Sequence, residues 1–352
     1  MNFKTEITKI HYDKTAKGLF VKLLEFGSIF YGIGSGLKNK LYDNGLLKPK
    51  KVNAFVISVG NITTGGVGKT PVVSEIAKYL IQNGEKVAII SRGYGGKLSN
   101  KNINVISDGE KIFYNAKLAG DEPFWLAQNS NGVIVITTKN RYEGAKFAVE
   151  KFGATKIILD DGFQHRKLYR NLDIVLMDSK MGFGNEKLLP AGPLREGMEA
   201  FSRIDRLVVV SKDIDHSRAE KLAKIMSKKM KVKTTVCNTE PDYVYNIKTG
   251  EKLADNSEIN AICAIGQPKQ FYQFLDNYKI KPTIDFRFFC VLIVKNKQKI
   301  DFDDHHIYTE EELPDGIIVT TEKDAVKMKD FTRNDIFALK LKTSVDVNEL
   351  LN

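Results

Sequence analysis

Residues 54–84 read AFVISVGNITTGGVGKTPVVSEIAKYLIQNG. An apolar, β-branched run leads into a glycine-rich segment, and an amphipathic stretch follows it. A strand, a turn of small residues and a helix in this order carry the phosphate-binding pattern GxxxxGK[ST]. Gly68, Lys69 and Thr70 fit the end of that pattern, whereas Thr63 stands in place of its first glycine. The segment predicts a nucleotide-binding α/β fold, and the alternative is an ordinary glycine-rich turn.

The loop between this strand and helix predicts a nucleoside triphosphate site. Small residues let backbone N–H groups approach phosphate oxygens, and the N-terminus of the next helix adds its positive end. Lys69 is expected to reach the β- and γ-phosphates, and the Thr70 hydroxyl to bind Mg²⁺. A guanine-reading Asn/Thr-Lys-x-Asp motif is incomplete at 138–141 and at 321–324, so ATP is favoured over GTP. The expected nucleotide-binding residues of the loop are Thr63, Thr64, Gly65, Gly66, Val67, Gly68, Lys69 and Thr70.

A second stretch, KIILDDGFQH at 156–165, supplies acidic residues at the end of an apolar run. Parallel sheets bind ligands at the carboxyl ends of their strands, where Asp160 and Asp161 would lie. Two adjacent carboxylates repel each other unless a cation lies beside them. They are therefore predicted to hold Mg²⁺, although the sequence leaves open which one binds it directly. The alternative is a turn with solvated acids.

Further out from the loop, short β-branched runs alternate with amphipathic stretches. This pattern is typical of a parallel sheet covered by helices on both faces. A second α/β set follows the last strand of the first set, near residue 212. We therefore expect a P-loop-type sheet domain and a second, smaller α/β domain. The expected units are an N-terminal segment 1–50, a nucleotide-binding domain 51–212, a smaller domain 213–332 and a C-terminal segment 333–352 that packs back on the first domain.

Composition limits the class of protein. The chain has 352 residues, of which 42% are apolar and 28% charged, which excludes disordered and collagen-like chains. Its net charge of +11 suggests an anionic partner, whether phosphorylated ligand, acidic lipid or nucleic acid. Three cysteines without CxxC spacing argue against a disulfide framework or a thiolate zinc site, in keeping with a reducing cytoplasm.

The N-terminal segment 15–40 has apolar residues at helical spacing, surrounded by lysines. Lys22 and Glu25 interrupt its apolar run, so a transmembrane helix is not expected. Two interpretations remain from the residues alone. The helix buries its stripe on the protein's own core, or it lies in a membrane interface with basic residues above it.

Seven motifs occur in order between residues 50 and 330. The chain resembles the tetraacyldisaccharide 4′-kinases, the lipid A 4′-kinase family, and the departure at Thr63 is shared with that family. The motifs are SVGNITTGGVGKTP (58–71), SRGYGG (91–96), GDEP (120–123), DDGFQHR (160–166), GFGN…LLPAGPLRE (182–196), DHH (304–306) and TEKDAVK (321–327).

The resemblance implies an activity and a location. The enzyme would transfer the γ-phosphate of ATP, with Mg²⁺, to the 4′-hydroxyl of tetraacyldisaccharide 1-phosphate. It would act as a peripheral protein on the cytoplasmic face of the inner membrane of a Gram-negative bacterium. The expected partners are the lipid substrate and an anionic membrane surface. Because a tetraacylated lipid cannot leave the bilayer cheaply, the docking interpretation of residues 15–40 becomes the favoured one. We expect a monomer and no nucleic-acid partner.

The resemblance also assigns roles to residues. Asp121 would be the base that accepts the hydroxyl proton, and His305 its partner from the second domain, so that domain closure completes the site. His306 is an open alternative, because the stretch 286–300 lengthens the chain before this motif. Glu196 would lie near the metal and Gln164 near the nucleotide. The expected substrate-binding residues are Arg92, Arg141, His165 and Arg195.

Each of these residues also has an ordinary structural interpretation. Without the resemblance, Gly-Asp-Glu-Pro indicates the start of a helix more than a catalytic base, and the arginines could be solvated surface charges. A different class of protein, an NTPase switch of the metallochaperone type, shares the glycine-rich loop. Such switches often carry a lysine near the start of that loop, and Asn61-Ile62-Thr63-Thr64 lacks one.

Overall fold

The computed structural model describes residues 3–99, 103–213, 215–254, 257, 259–264, 268–278, 300–301, 306 and 308–352. Within these residues, twelve strands form one sheet. The strands are β1 Phe55–Asn61, β2 Val87–Ser91, β3 Asn104–Asp108, β4 Ile134–Thr137, β5 Lys156–Asp160, β6 Leu172–Asp178, β7 Arg206–Ser211, β8 Lys233–Asn246, β9 Asn260–Cys263, β10 Ile300–Asp301, β11 Ile318–Thr321 and β12 Ile336–Ser344. The helices are α1 Phe3–Tyr12, α2 Leu19–Asp43, α3 Lys69–Gln82, α4 Ala116–Ala119, α5 Asp121–Asn129, α6 Arg141–Phe152, α7 Ser217–Met230, α8 Pro268–Tyr278, α9 Glu322–Ala325 and α10 Val347–Leu351.

The sheet is mainly parallel, in the order β10-β9-β11-β12-β8-β7-β6-β1-β5-β2-β4-β3. β1 lies between β5 and β6, so the glycine-rich loop and the acids that end β5 leave the same edge of the sheet. Two antiparallel pairs depart from the parallel pattern: the edge strand β3 on β4, and β12 on β8. The α/β class and the P-loop-type sheet predicted from the sequence are confirmed.

Both faces of the sheet are covered, because alternate residues of a strand point to opposite sides. Ile57 of β1 is buried in one core with Val72 and Ile76 of α3. Its neighbour Val56 is buried on the other side, in a core with Ala148 of α6. Because both sides of the central strands are buried, the sequences of these strands are almost continuously apolar.

The C-terminal residues take part in the sheet and in the first core. β12 is inserted between β11 and β8. Val347 and Leu350 of α10 are buried in the same core as Val72 of α3. The last twenty residues are therefore a packed part of the fold.

Helix α2 leaves most of its apolar residues in contact with solvent. Val21, Leu24 and Asn39 are its buried residues. Among the described residues, no helix combines the length and apolarity needed to cross a bilayer. The exposed large apolar side chains of α2 are Leu19, Phe20, Leu23, Phe26, Ile29, Phe30, Tyr31, Ile33 and Leu37.

Candidate active site

The glycine-rich loop closes tightly onto the start of α3. Gly65 and Gly68 have φ angles of +110° and +98°, which side-chain-bearing residues rarely adopt. The Lys69 Nζ lies 3.2 Å from Asn61 Oδ1, and Asn61 Nδ2 donates to the Thr63 carbonyl at 2.6 Å. Asn61, the last residue of β1, therefore orients the lysine, a role that the sequence analysis did not assign to it.

The segment before Glu196 braces this loop from one side. The Thr64 N–H donates to the Pro193 carbonyl at 2.7 Å, and the Arg195 N–H donates to the Ile62 carbonyl at 2.7 Å. These two backbone hydrogen bonds join the motif that contains LLPAGPLRE to the phosphate loop. They explain how residues more than a hundred positions apart form one site.

A further lysine, which the sequence analysis missed, contacts the glycine-rich loop from the end of β7. The Lys212 Nζ donates to the Gly66 carbonyl at 2.6 Å and lies 3.4 Å from Asp178 Oδ2. Burial lowers the pKa of Lys212, and Asp178 opposes that shift. Its only signal in the sequence is its position directly after β7, at the same edge of the sheet as Asp160.

Asp160, at the end of β5, is a fully buried carboxylate with incomplete hydrogen bonding. Ser91 Oγ donates to its Oδ2 at 3.1 Å, while its Oδ1 has no hydrogen-bond partner among the described residues. Burial, followed by the nearby charge of Glu122, raises the pKa of Asp160 to about 7. A buried carboxyl of this kind is stabilised in its charged form when a cation binds beside it.

Asp161 has the opposite electrostatic environment. Arg195 NH1 donates to both of its carboxylate oxygens, at 2.9 and 2.8 Å, and Lys69 Nζ lies 3.5 Å away. Burial raises the pKa of Asp161, but Lys69 and Arg195 outweigh burial and the net shift is downward. Asp161 also has a φ of +55°, which turns its side chain out of the line of β5.

The donors at this edge fit a magnesium ion held partly by a nucleotide. Mg²⁺ is usually bound through one or two carboxylates together with substrate phosphates and waters. The unpartnered oxygen of buried Asp160 meets that requirement. Among the described residues, no three His, Cys, Asp or Glu side chains are grouped closely enough to form an all-protein site. Glu196, expected near the metal, is buried and forms an ion pair with Arg203.

The predicted substrate-binding residues surround the same acids. Arg141 is buried and donates from NH1 to the Thr138 carbonyl at 3.1 Å, while its Nε has no hydrogen-bond partner in the part of the chain that the structure describes. Burial lowers the pKa of Arg141, with further influence from the charges of Asp160, Arg92 and Asp161. Arg92 itself is exposed. Arg141 and Arg92 therefore place positive charge beside the strand-end carboxylates.

Gln164 and His165 follow the acids in the turn after β5. The Gln164 side chain donates to the Asn61 carbonyl at 3.0 Å, which places it against the base of the phosphate loop. Burial, together with the neighbouring charge of Arg141, lowers the pKa of His165 to about 4. The His165 ring is therefore neutral at pH 7, and its Nε2 is buried without a hydrogen-bond partner from any residue that the structure describes.

Asp121 is positioned by a close backbone approach between two glycine-containing loops. Gly120 has a φ of +94°, and a Cβ at that position would lie 2.8 Å from the Tyr94 carbonyl oxygen. A Cβ on Gly96 would lie 2.5 Å from the Gly120 nitrogen. The SRGYGG and GDEP motifs therefore pack backbone to backbone. This contact fixes the start of α5, where Asp121 and Glu122 stand.

The expected partner of Asp121, His305, lies outside the described residues, as does most of the stretch 286–300. His306 is described, and its Nε2 lies 3.0 Å from Glu312 Oε2. A different residue of the second α/β set does approach Asp121. The Lys327 Nζ lies 3.4 Å from Asp121 Oδ2.

Helix α2 contacts the site through two side-chain hydrogen bonds. Tyr31 Oη donates to the Arg195 carbonyl at 2.9 Å, and Lys38 Nζ donates to the Gln164 carbonyl at 2.9 Å. The helix that exposes apolar residues to solvent therefore also borders the candidate nucleotide site.

A phosphate loop, two strand-end carboxylates with opposite pKa shifts and a separate aspartate at one edge of a parallel sheet define a P-loop phosphotransferase. The family model for LpxK, tetraacyldisaccharide-1-P 4′-kinase, matches residues 20–352. The chain belongs to this family. Family membership favours a kinase over the NTPase switch that shares the loop.

Individual relatives support this assignment over most of the chain. The tetraacyldisaccharide 4′-kinase of Desulfotalea psychrophila is 37% identical over an alignment of 343 positions that covers 92% of this chain and 93% of the relative. That of Halothermothrix orenii is 33% identical, over 90% of this chain and 88% of the relative. A crystal structure of LpxK from Aquifex aeolicus in complex with ATP has a TM-score of 0.74 at 31% identity, and covers 95% of this chain and 97% of that one.

Proposed function

We propose that this protein transfers the γ-phosphate of ATP to the 4′-hydroxyl of a tetraacylated glucosamine disaccharide 1-phosphate. The observation that carries the proposal is the convergence of Lys69, Asp160 and Glu122, the neighbour of Asp121, at one sheet edge in a chain of this kinase family. ATP is the proposed phosphate donor because the related LpxK binds it. The sugar 4′-oxygen would form a bond to the γ-phosphorus while the bond from that phosphorus to the β–γ bridging oxygen breaks.

The residues of the chain would act mainly by positioning and charge neutralisation. Lys69, held by Asn61, neutralises charge on the β- and γ-phosphates. Asp121 accepts the proton that the 4′-hydroxyl loses, and its fixed place at the start of α5 suits that role. Arg141 and Arg92 present guanidinium groups to substrate phosphate.

We propose Mg²⁺ as the cofactor, held by Asp160 and the Thr70 hydroxyl. Asp161 is already neutralised by Arg195 and Lys69, so it is the weaker candidate for a direct ligand. Glu196 is proposed as an indirect neighbour, because its carboxylate is paired with Arg203. When bound, the ion would neutralise charge that develops on the transferred phosphate.

A groove beside α2 supports an acylated substrate. It has a volume of about 750 Å³ and lies between α2 and the segment that contains Leu188. Ile29, Ile33 and Leu37 contribute apolar side chains, while Gly32 leaves room for Leu188, whose Cδ1 would lie 2.9 Å from a Cβ there. The groove runs along the helix that donates to the Arg195 and Gln164 carbonyls, so chains lying in it would lead to the nucleotide site.

We also propose that α2 docks the protein to an anionic membrane, on the cytoplasmic face of the inner membrane of a Gram-negative bacterium. Phe26, Phe30 and Ile33 are each about 60% exposed, next to a groove that would hold acyl chains. The net charge of +11 favours an anionic surface. The protein is proposed to act as a monomer without nucleic acid, and the division at residues 50, 212 and 332 remains a proposal.

The reaction is tested by incubating the full chain with ATP, Mg²⁺ and tetraacyldisaccharide 1-phosphate in detergent. Mass spectrometry should detect one added phosphate, and fragmentation should place it at the 4′ position. Asp121→Asn is expected to reduce turnover by about 10²- to 10⁴-fold, with ATP binding retained. A product without the added phosphate would refute the proposed reaction, and loss of ATP binding in Asp121→Asn would remove Asp121 from the base role.

The membrane proposal is tested by sedimentation with vesicles that contain anionic phospholipid. The double variant Phe26→Glu/Phe30→Glu should no longer sediment with the vesicles, because its charged side chains oppose insertion into the bilayer. Ile225→Glu is the matched control, because Ile225 is 60% exposed on a different helix, α7. Equal binding by the double variant and the wild type would exclude α2 as the docking element.

A further inference from the structure

The contact between Lys327 and Asp121 joins the two α/β sets at the proposed catalytic base. Lys327 follows α9 in the TEKDAVK motif, and Asp121 begins α5. The Lys327 Nζ lies 3.4 Å from Asp121 Oδ2. The side chains are 8% and 14% exposed, so the pair is largely shielded from water. The mechanism proposed above gives Lys327 no role.

Lys327 is held from its other side by a buried acid. Its Nζ donates to Asp324 Oδ1 at 3.0 Å, and Asp324 is fully buried. The other oxygen of Asp324 accepts hydrogen bonds from the Ala264 N–H and the Thr321 hydroxyl, both at 2.9 Å. With both oxygens engaged, the Asp324 carboxylate cannot rotate without losing hydrogen bonds.

An aromatic ring adds a third support to the ammonium group. The Lys327 Nζ lies 5.7 Å from the centre of the Tyr308 ring, within the range of a cation–π contact. Burial, Asp324 and Asp121 all raise the pKa of Tyr308, so its hydroxyl stays neutral beside the lysine. Asp324, Tyr308 and the backbone thus determine where the Lys327 charge is placed, independently of Asp121.

A general base works only when its carboxylate points at the proton that it accepts. Exposed ion pairs hold a side chain weakly because water competes and both side chains stay mobile. The Lys327–Asp121 pair differs in being largely shielded from water, and its cation is held by Asp324. The geometry therefore favours a fixed orientation of the Asp121 carboxylate.

We propose that Lys327, anchored by Asp324, is a positioning residue that holds the Asp121 carboxylate in the orientation in which it receives the sugar proton. This inference rests on the proposed base role of Asp121. It assigns the TEKDAVK motif a function in catalysis through contact between the two α/β sets.

The test is a double-mutant cycle with Lys327→Met and Asp121→Asn, measured as kcat and as KM for ATP in the lipid kinase assay. Lys327→Met alone should lower kcat by about 10- to 100-fold, because misplacing a catalytic group by about 1 Å costs that much. KM for ATP should stay within about twofold, and Lys327→Arg should restore most of the loss. Within the Asp121→Asn background, Lys327→Met should change kcat by less than about twofold.

Controls separate positioning from other roles. Lys329→Met removes an exposed lysine two residues further on and should leave kcat unchanged. If Lys327→Met does not fold, as judged by circular dichroism, Lys327→Gln takes its place in the cycle. A loss that is equally large in both backgrounds would overturn the inference and indicate direct contact with phosphate. Unchanged turnover in Asp121→Asn would instead refute the base role, a result distinguishable from failure of the Lys327 proposal alone.

Discussion

Asp160 and Asp161 are adjacent in the chain, yet their carboxylates have opposite pKa shifts. Asp160 continues β5 into the buried edge of the sheet, where burial and Glu122 raise its pKa. Asp161 turns away at a φ of +55° and accepts two hydrogen bonds from Arg195. The change of backbone direction at Asp161 therefore gives the two carboxylates different surroundings. Asp160 needs a cation beside it, whereas Asp161 already has two, Arg195 and Lys69.

This difference predicts distinct consequences for the two asparagine variants. Asp160→Asn removes a poorly solvated carboxylate, so the ligand-free protein should melt at an equal or higher temperature at pH 8. Its turnover should fall by at least about 10²-fold, the typical loss when charge stabilisation of a transferring group is removed.

Asp161→Asn should instead lower the melting temperature, because Arg195 and Lys69 lose a common partner. Differential scanning fluorimetry with and without Mg²⁺ and ATP measures both effects. A lower melting temperature for Asp160→Asn than for Asp161→Asn would contradict the assignment.

Asn61→Ala tests the orientation of Lys69. The substitution removes the amide oxygen 3.2 Å from Lys69 Nζ and the hydrogen bond to the Thr63 carbonyl. A hydrogen bond to a charged group contributes about 1.5–3 kcal/mol, so kcat/KM for ATP should fall by about tenfold or more. Steady-state kinetics at saturating lipid measures the change. An unchanged kcat/KM for ATP in Asn61→Ala would argue against an orienting role.

Gly120→Ala tests the packing that positions Asp121. The new Cβ would lie 2.8 Å from the Tyr94 carbonyl oxygen, at a φ that disfavours alanine. Gly250→Ala is the control, because Gly250 also has a positive φ, of +78°, and among the described residues no non-neighbouring atom lies within 4 Å of a Cβ placed there. Both variants should lose about 1–3 kcal/mol of unfolding free energy from backbone strain. Gly120→Ala alone should reduce kcat, and equal kcat values for the two variants would show that the loop contact does not matter for catalysis.

The lowered pKa of His165 predicts that the folded protein loses stability at acid pH. Its pKa in the folded protein is about 4, below the ordinary value of 6.5, so the unfolded chain binds more protons between these values. The contribution of His165 to stability is therefore complete above pH 6.5 and is lost as the pH falls towards 4. In His165→Asn, the free energy of unfolding should fall less steeply between pH 6.5 and 4. Urea unfolding followed by the fluorescence of Trp125 measures it, and parallel curves for the two proteins would refute the prediction.

The parts of the site that the sequence predicted are those set by local order along the chain. A strand, a small-residue loop and a helix must follow one another for Lys69 and Thr70 to meet phosphate, and this order is visible in residues 54–84. The carboxylates of Asp160 and Asp161 were found for the same reason, at the end of an apolar run. The roles of Asp121, Gln164 and Arg195 came from the family resemblance, and they stay proposals.

The contacts that were missed connect segments far apart in the chain. Lys212 reaches the Gly66 carbonyl because β7 lies two strands away from β1, an order that spacing does not reveal. Lys327 reaches Asp121 because the second α/β set folds against α5. In both cases the residue is an ordinary lysine in a lysine-rich chain, so its type carries no signal.

The sequence by itself determined the class of fold, the phosphate loop and the family, because hydrophobic periodicity and motif order are properties of neighbouring residues. Only the tertiary structure decided which charges meet: that Arg195 neutralises Asp161 and not Asp160, and that α2 borders the candidate site. Charge pairing depends on distance and burial, which are set by strand order and packing. Residues of the same type therefore acquire different charge partners only when the chain has folded.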